Sequence, residues 1–264
     1  MSTLIKNIIE SADNKFVMEA VQLQSLKHRR KLGKFVLEGA AYIADIPDSS
    51  HVEYLLVAQS QRETYTELCE KHTHRLVADK LLELVCDTVT PQGVVAVCRQ
   101  PRHNPEALAK IGGIYVLCED VRDPGNFGTI VRTAAAAGAS AVFALPGCVD
   151  AYSPKVVRAS SGAVFSVPIV GDLLAGEVLA LLRRNGTRIY AAHLQGETLP
   201  YETNLCGDCA FIIGNEAHGI SPALAGECDA WLKLPMPGNV QSLNASVAAA
   251  ILIYESLRQR LHTL

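Results

Sequence analysis

The chain has 264 residues, with 24 Lys+Arg against 27 Asp+Glu, a formal charge of −3 and 49% hydrophobic residues. This balance excludes an intrinsically disordered chain and a uniformly basic nucleic-acid coat, so any RNA or DNA must be met by a local patch. Its 19 glycines and 12 prolines are too few for a low-complexity or collagen-like chain.

Residues 14–32 read as a helix with apolar Phe16, Val17, Ala20, Val21 and Leu23, and Gly33 ends it. Over residues 14–34, Lys15, Lys27, Arg29, Arg30, Lys31 and Lys34 stand against one acid, Glu19. That is the strongest charge excess in the chain. It also reads as a solvated helix end, since charge runs usually face water. Lys34–Glu38 reads as a short strand, and a small-residue helix starts at Gly39. A strand over 52–57, helices over 61–71 and 79–86 and a strand over 93–98 complete a small α/β unit of about 90 residues. Residues 99–106, with Pro101 and Pro105 and no apolar periodicity, read as a linker. The expected domains are therefore 1–104 and 105–264.

The second half alternates more plainly. Residues 113–118 form an apolar run, a buried strand, and the polar loop 119–125 leads into a helix from Asn126. Further strands are expected at 141–145, 188–193, 210–214 and 230–234, with an extended stretch at 164–169. Helices are expected within 152–161 and over 176–184. A closing helix over 242–260 carries Leu243, Val247, Ala250, Ile251, Tyr254, Leu257 and Leu261 on one face. The fold class is α/β, with a mostly parallel sheet covered on both sides. Ligands of such sheets sit beyond the carboxyl ends of the strands.

Eight cysteines invite a disulfide framework, but the chain is too long to need one. The opening residues MSTLIKNIIESADNK lack a continuous apolar core and a small-residue cleavage site. Reduced thiols in a cytoplasmic protein are expected. No apolar run reaches about 18 residues, so no membrane span is expected. Cys206 and Cys209 form the only C-x-x-C, and a zinc site would need a second pair where only Cys228 and His193 are loosely available. No metal is expected.

Three loops at predicted strand ends stand out: 119–129, 214–221 and 235–244. Each alone is ordinary turn chemistry, with Asn126 able to cap its helix. Together, each at a strand end, they point to a site. G-x-G-x-x-G, the phosphate-loop lysine motif and G-x-S-x-G are all missing, and Gly125-Asn-Phe-Gly128 matches the KH clamp only superficially. His218 reads equally as a base or an exposed turn residue.

The residues Asn126-Phe-Gly-Thr-Ile-Val-Arg-Thr133, Ile212-Ile-Gly-Asn-Glu-Ala-His-Gly-Ile220 and Leu234-Pro-Met-Pro-Gly-Asn-Val-Gln-Ser-Leu-Asn-Ala-Ser-Val-Ala248 resemble the three motifs of the SpoU/TrmH branch of SPOUT RNA methyltransferases. The stretch from Ser153 to Phe165 resembles that branch too. Phe35-Val-Leu-Glu-Gly39 resembles, more weakly, the small substrate-binding domain that precedes the catalytic domain in many of these enzymes. The resemblance implies methyl transfer from S-adenosylmethionine to a ribose 2′-hydroxyl of RNA, with rRNA favoured over tRNA. The same fold acting on a base atom and a silent RNA-binding protein are the alternatives. It also implies a homodimer and a trefoil knot at the carboxyl end.

By position, the resemblance makes Asn126, Arg132, Glu216, Ser242 and Asn244 catalytic. It assigns the cofactor to His193, Leu194, Gly214, Asn215, Gly219, Leu234, Met236, Ser242 and Leu243. RNA is expected at Lys27, Arg29, Arg30, Lys31, Lys34, Lys155 and Arg158. Ala217 stands where the family often has Gly, which would add strain if that position needs φ > 0. A guanidinium stays protonated at neutral pH, so Arg132 is expected to hold an RNA phosphate and stabilise developing charge, with the proton lost to phosphate or water.

Overall fold

The computed structural model describes residues 8–108 and 112–262. The first seven residues of the opening segment read above lie outside them. The chain folds as two compact units, 1–101 with 152–165, and 102–151 with 166–264.

The first unit holds a mixed four-stranded sheet of β1 (Lys34–Glu38), β2 (Val52–Ala58), β3 (His74–Val77) and β4 (Val94–Arg99), in the order β1-β4-β2-β3. β4 runs antiparallel to β1 and β2, and β3 runs parallel to β2. β3 is an element beyond those expected from the sequence. It is a partly exposed edge strand in which only Leu76 and Val77 are apolar, so it carries no alternation to recognise. The expected single helix over 14–32 is two helices, Lys15–Gln22 and Leu26–Leu32. The break has a cause: the carbonyls of Leu23 and Gln24 each accept from Arg29 Nη1 at 2.8 Å, instead of continuing the helical ladder. Gly33 ends the second helix at φ +63°, as its position predicts. Residues 152–165 pack into this unit: the buried Phe35 ring lies 5.0 Å from Tyr152 and 5.4 Å from Phe165.

The second unit is built on six strands, β5 (Ile114–Cys118), β6 (Ala141–Ala144), β7 (Ile169–Val170), β8 (Arg188–Ala192), β9 (Cys209–Ile213) and β10 (Ala230–Leu232). Their order is β10-β8-β9-β5-β6-β7 and every pairing is parallel. The α/β class and the parallel sheet of the sequence reading hold. Tyr115, Leu117, Phe143, Ile189 and Ile212 share one core with Val178, Leu179 and Leu182 of helix Ala175–Arg184. Alternation puts Val116 and Phe211 on the other face. Helices Pro124–Ala136 and Ala245–His262 pack together on β5, β6 and β9.

The closing helix turns differently from the simplest expectation of an apolar face toward the core. Its buried residues are Ala245, Ser246, Ala249, Leu252, Ile253 and Ser256, while Val247, Ile251, Tyr254 and Leu261 are exposed. Small residues share the inward face with Leu252 and Ile253, and a second apolar stripe faces outward. None of the eight cysteines is in a disulfide. Cys209 is buried, with Sγ 3.3 Å from Ser256 Oγ. No described helix is long and apolar enough to cross a membrane.

Candidate active site

Because β5, β8, β9 and β10 are parallel, their carboxyl ends lie along one edge of the sheet, and the loops 119–123, 193–199, 214–221 and 233–244 leave from that edge. In the first loop, Asp123 rather than Asn126 caps the helix: its carboxylate accepts from Asn126 N–H at 2.7 Å, and Pro124 takes the first helical position. That division of labour releases the Asn126 side chain. Its Nδ2 donates to Glu216 Oε1 at 2.7 Å, and its Oδ1 accepts from Asn244 Nδ2 at 2.8 Å. Asn244 Oδ1 in turn accepts from Ser246 N–H at 2.9 Å and Ser246 Oγ at 2.6 Å, at the start of the closing helix. A carboxylate accepts only, so the Asn126 amide orientation is forced. One hydrogen-bonded chain thus joins three motifs 90 and 118 residues apart.

Arg132 is exposed on the same helix as Asn126. The residues four and seven before it are Gly128 and Gly125. Helical side chains lean toward the amino terminus, so no Cβ on that row blocks the guanidinium. Ser242 is exposed in the 233–244 loop.

The other loops are held by close backbone approach. Asn215 and Gly219 exchange backbone hydrogen bonds at 3.0 and 2.9 Å. A Cβ on Gly214 would lie 2.3 Å from the Gly219 carbonyl carbon, and Gly219 itself sits at φ +70°. Ala217 is not among the residues at positive φ, so the substitution noted in the sequence costs no strain. In the 193–199 loop, His193 stacks on Trp231 with ring centroids 4.3 Å apart, and its Nδ1 accepts from Gln195 N–H at 3.2 Å. A Cβ on Gly196 would lie 2.6 Å from the Trp231 carbonyl oxygen, so this loop can follow β10 only with glycine there.

Residues 113–254, over half the chain, match the model of the SpoU rRNA methylase family. The chain belongs to that family. Residues 14–96 match the MRM3-like substrate binding domain. The 23S rRNA (guanosine(2553)-2′-O)-methyltransferase RlmP of Bacillus subtilis is 32% identical over 246 residues, covering 93% of this chain and 97% of that one. Among solved structures, the AdoMet-bound rRNA methyltransferase from Sinorhizobium meliloti superposes with a TM-score of 0.85 at 29% identity, covering 98% of each chain. The SpoU methyltransferase AviRb from Streptomyces viridochromogenes, in complex with AdoMet, does so at 0.84 and 29%, covering 94% of this chain and 100% of that one.

In this SpoU chain the strand-end loops fit S-adenosylmethionine. Leu194 is 55% exposed and Leu243 36% exposed, with Leu234 and Met236 half-buried. They come from the 193–199 and 233–244 loops. A purine nucleoside asks for apolar walls and backbone hydrogen-bonding groups, and this edge supplies both.

The residues expected at RNA all fall in the first unit, and two of them are corrections. Arg29 is only 4% exposed, and its guanidinium is bonded to the Leu23 and Gln24 carbonyls. Lys34 bridges Glu19 and Glu53, each at 2.7 Å. Burial alone would lower the Lys34 pKa, but the hydrogen bonds that its ammonium donates to Glu19 and then Glu53 outweigh it, and the ammonium is held above its ordinary value. Both charges are spent inside the unit. Lys27, Arg30, Lys31, Lys155 and Arg158 remain exposed, with Arg158 3.3 Å from Asp87. Arg29→Ala is therefore expected to cost about 2 kcal/mol of stability, read by urea unfolding, because two carbonyls lose a charged partner. Arg30→Glu should leave stability within about 0.5 kcal/mol, weaken RNA binding and flatten its salt dependence. An unchanged salt slope would remove Arg30 from the RNA surface.

Proposed function

We propose that this chain transfers the methyl group of S-adenosylmethionine to a ribose 2′-hydroxyl of 23S rRNA. The observation that carries this reading is the hydrogen-bonded chain from Glu216 through Asn126 to Asn244, set beside an apolar strand-end cradle. Family membership and the AdoMet-bound neighbours support the cofactor, and the relatives' 23S rRNA activities support the acceptor.

S-adenosylmethionine supplies an electrophilic methyl group on a sulfonium. The protein's part is alignment, which converts a slow bimolecular displacement into a positioned one. Arg132 grips the phosphate beside the acceptor ribose bidentately and stabilises the charge that develops on the 2′ oxygen. The 2′ proton passes to a phosphate oxygen or to water, because the guanidinium is already protonated. Asn126 spends one Nδ2 proton on Glu216 and keeps the second for the acceptor nucleotide. Ser242 and the Asn244 cap shape the third loop. His193, Leu194, Gly214, Asn215, Gly219, Leu234, Met236 and Leu243 hold the cofactor. Lys27, Arg30, Lys31, Lys155 and Arg158 capture RNA through its backbone charge. We place this reaction in the cytoplasm.

The closing helix supports a homodimer. Val247, Ile251, Tyr254 and Leu261 recur at helical spacing on an exposed face, the kind of apolar stripe that a second copy would cover. The family's trefoil knot suits the path of the 233–244 loop, which returns from edge strand β10 to a helix on β5 and β9. Ile251→Glu combined with Tyr254→Glu should convert a dimer to a monomer in sedimentation equilibrium. A wild-type monomer, or a variant dimer, would contradict the interface.

The acceptor is tested by offering methyl-labelled cofactor with unmodified 23S rRNA, 16S rRNA and tRNA in parallel. Label in 23S rRNA is expected. Label in tRNA alone would overturn the rRNA assignment.

A further inference from the structure

The two residues that leave β5 grip both feet of the 214–221 loop. Glu119 donates its backbone N–H to the Ile213 carbonyl, the last residue of β9, at 2.9 Å. Its carboxylate accepts twice from Ser221, at 2.8 Å from the backbone N–H and 2.6 Å from the hydroxyl. Asp120 takes the other foot. Its backbone carbonyl and its Oδ2 accept from Asn215 Nδ2 at 3.0 and 3.1 Å. Its Oδ1 accepts from Arg122 Nε at 2.7 Å. Asn215 passes the restraint inward, because its own Oδ1 accepts from the N–H groups of Ala217 and His218 at 2.8 and 3.2 Å.

The Asp120 backbone is itself unusual. It sits at φ +54°, in the left-handed region that Gly, Asn and Asp tolerate best. In that conformation the carbonyl and carboxylate of one residue converge on one amide group. Gly147 leaves the space for this, since a Cβ there would lie 2.5 Å from Asp120 Oδ1. Uncommon backbone conformations persist where surrounding contacts over-determine them, and they gather at functional sites.

We propose that Asp120 is a positioning residue for S-adenosylmethionine: acting through Asn215 it fixes the 214–221 loop in its cofactor-receiving shape, with Glu119 anchoring the loop exit through Ser221. The inference rests on the reading of that loop as a cofactor wall. In this role Asp120 acts on the cofactor only through Asn215. Its loss therefore weakens cofactor binding and leaves the chemistry of a saturated enzyme largely intact.

The test is calorimetric S-adenosylmethionine binding, steady-state methyl transfer and thermal unfolding for wild type, Asp120→Ala, Asp120→Gly and Asp120→Asn. Ala and Gly are expected to raise the cofactor Kd and KM about tenfold, with kcat at saturating cofactor within about threefold. Asn keeps an acceptor oxygen and accepts positive φ, so its Kd should return to within about threefold of wild type. Gly separates the two roles of the residue. It relaxes the backbone and so should not share the Tm loss of Ala, yet its cofactor binding should be as weak. A Gly variant with wild-type Kd would overturn the proposal, because the carboxylate would then be dispensable. So would variants that change Tm alone. A wild-type protein that binds no S-adenosylmethionine would instead overturn the cofactor reading beneath it, and the proposal with it.

Discussion

Arg132→Ala is expected to lower the single-turnover rate of methyl transfer by about 10²–10³, while S-adenosylmethionine binds as in wild type. Arg132 is exposed on helix Pro124–Ala136, whereas the residues proposed to hold the cofactor lie on the 193–199, 214–221 and 233–244 loops. A guanidinium that grips phosphate and stabilises an oxygen gaining negative charge is worth most in the transition state. Arg132→Lys keeps the charge and loses the planar fork, so it should recover no more than about tenfold of the deficit. Calorimetry and rapid-quench rates on one protein sample check both halves. A wild-type rate for Arg132→Lys would remove the bidentate contact. Loss of cofactor binding in Arg132→Ala would move Arg132 into the cradle.

Asn126→Asp should be as damaging despite being isosteric. The change removes the donor that meets Glu216 at 2.7 Å and sets a second carboxylate in its place. Two carboxylates at that distance resist ionising together, so the new carboxyl has a raised pKa in the folded state. A group whose folded pKa is raised contributes stability below its unfolded pKa and loses it as pH rises through the folded value. The variant is therefore weakest at alkaline pH, where both groups are charged and the 214–221 loop is pushed from the Asn126 helix. The deficit there should reach about 100-fold. As pH falls, a shared proton restores an O–H···O bond, and the variant-to-wild-type rate ratio should climb. The ratio is used because the wild-type rate carries its own pH dependence. A ratio flat from acid to alkaline pH would mean that the Asn126–Glu216 bond does not organise the site.

Much of this site was legible in the sequence because parallel strands place their ends together. Once 113–118, 188–193, 210–214 and 230–234 read as strands of one parallel sheet, the loops carrying Asn126, Glu216 and Asn244 had to share an edge. What escaped was the assignment of individual polar atoms. Asp123 and Asn126 are both good cap residues, and only the structure shows Asp123 capping while Asn126 bridges two loops. Arg29 looked like one cation in a run, but carbonyls from the turn before it draw it inward. A charge count along the chain has no access to that burial. The closing helix is apolar around most of its circumference, so periodicity could not tell its inward face of Ala245, Ala249, Leu252, Ile253 and Ser256 from the outward stripe of Val247, Ile251 and Tyr254. The Glu119 and Asp120 contacts were invisible for a similar reason. Asn215 is 95 residues beyond Asp120, and Ser221 is 102 beyond Glu119.

The most direct test of ribose methylation is where the methyl group lands. Methyl-labelled S-adenosylmethionine is turned over on unmodified 23S rRNA, and the product is hydrolysed to completion in alkali. Alkaline cleavage requires the 2′ oxygen to attack the adjacent phosphorus, so a 2′-O-methyl ribose protects its own phosphodiester. The label is expected in an alkali-stable dinucleotide, and Arg132→Ala should yield no more than about a hundredth as much in the same time. Label released in mononucleotides would place the methyl group on a base and contradict the ribose assignment.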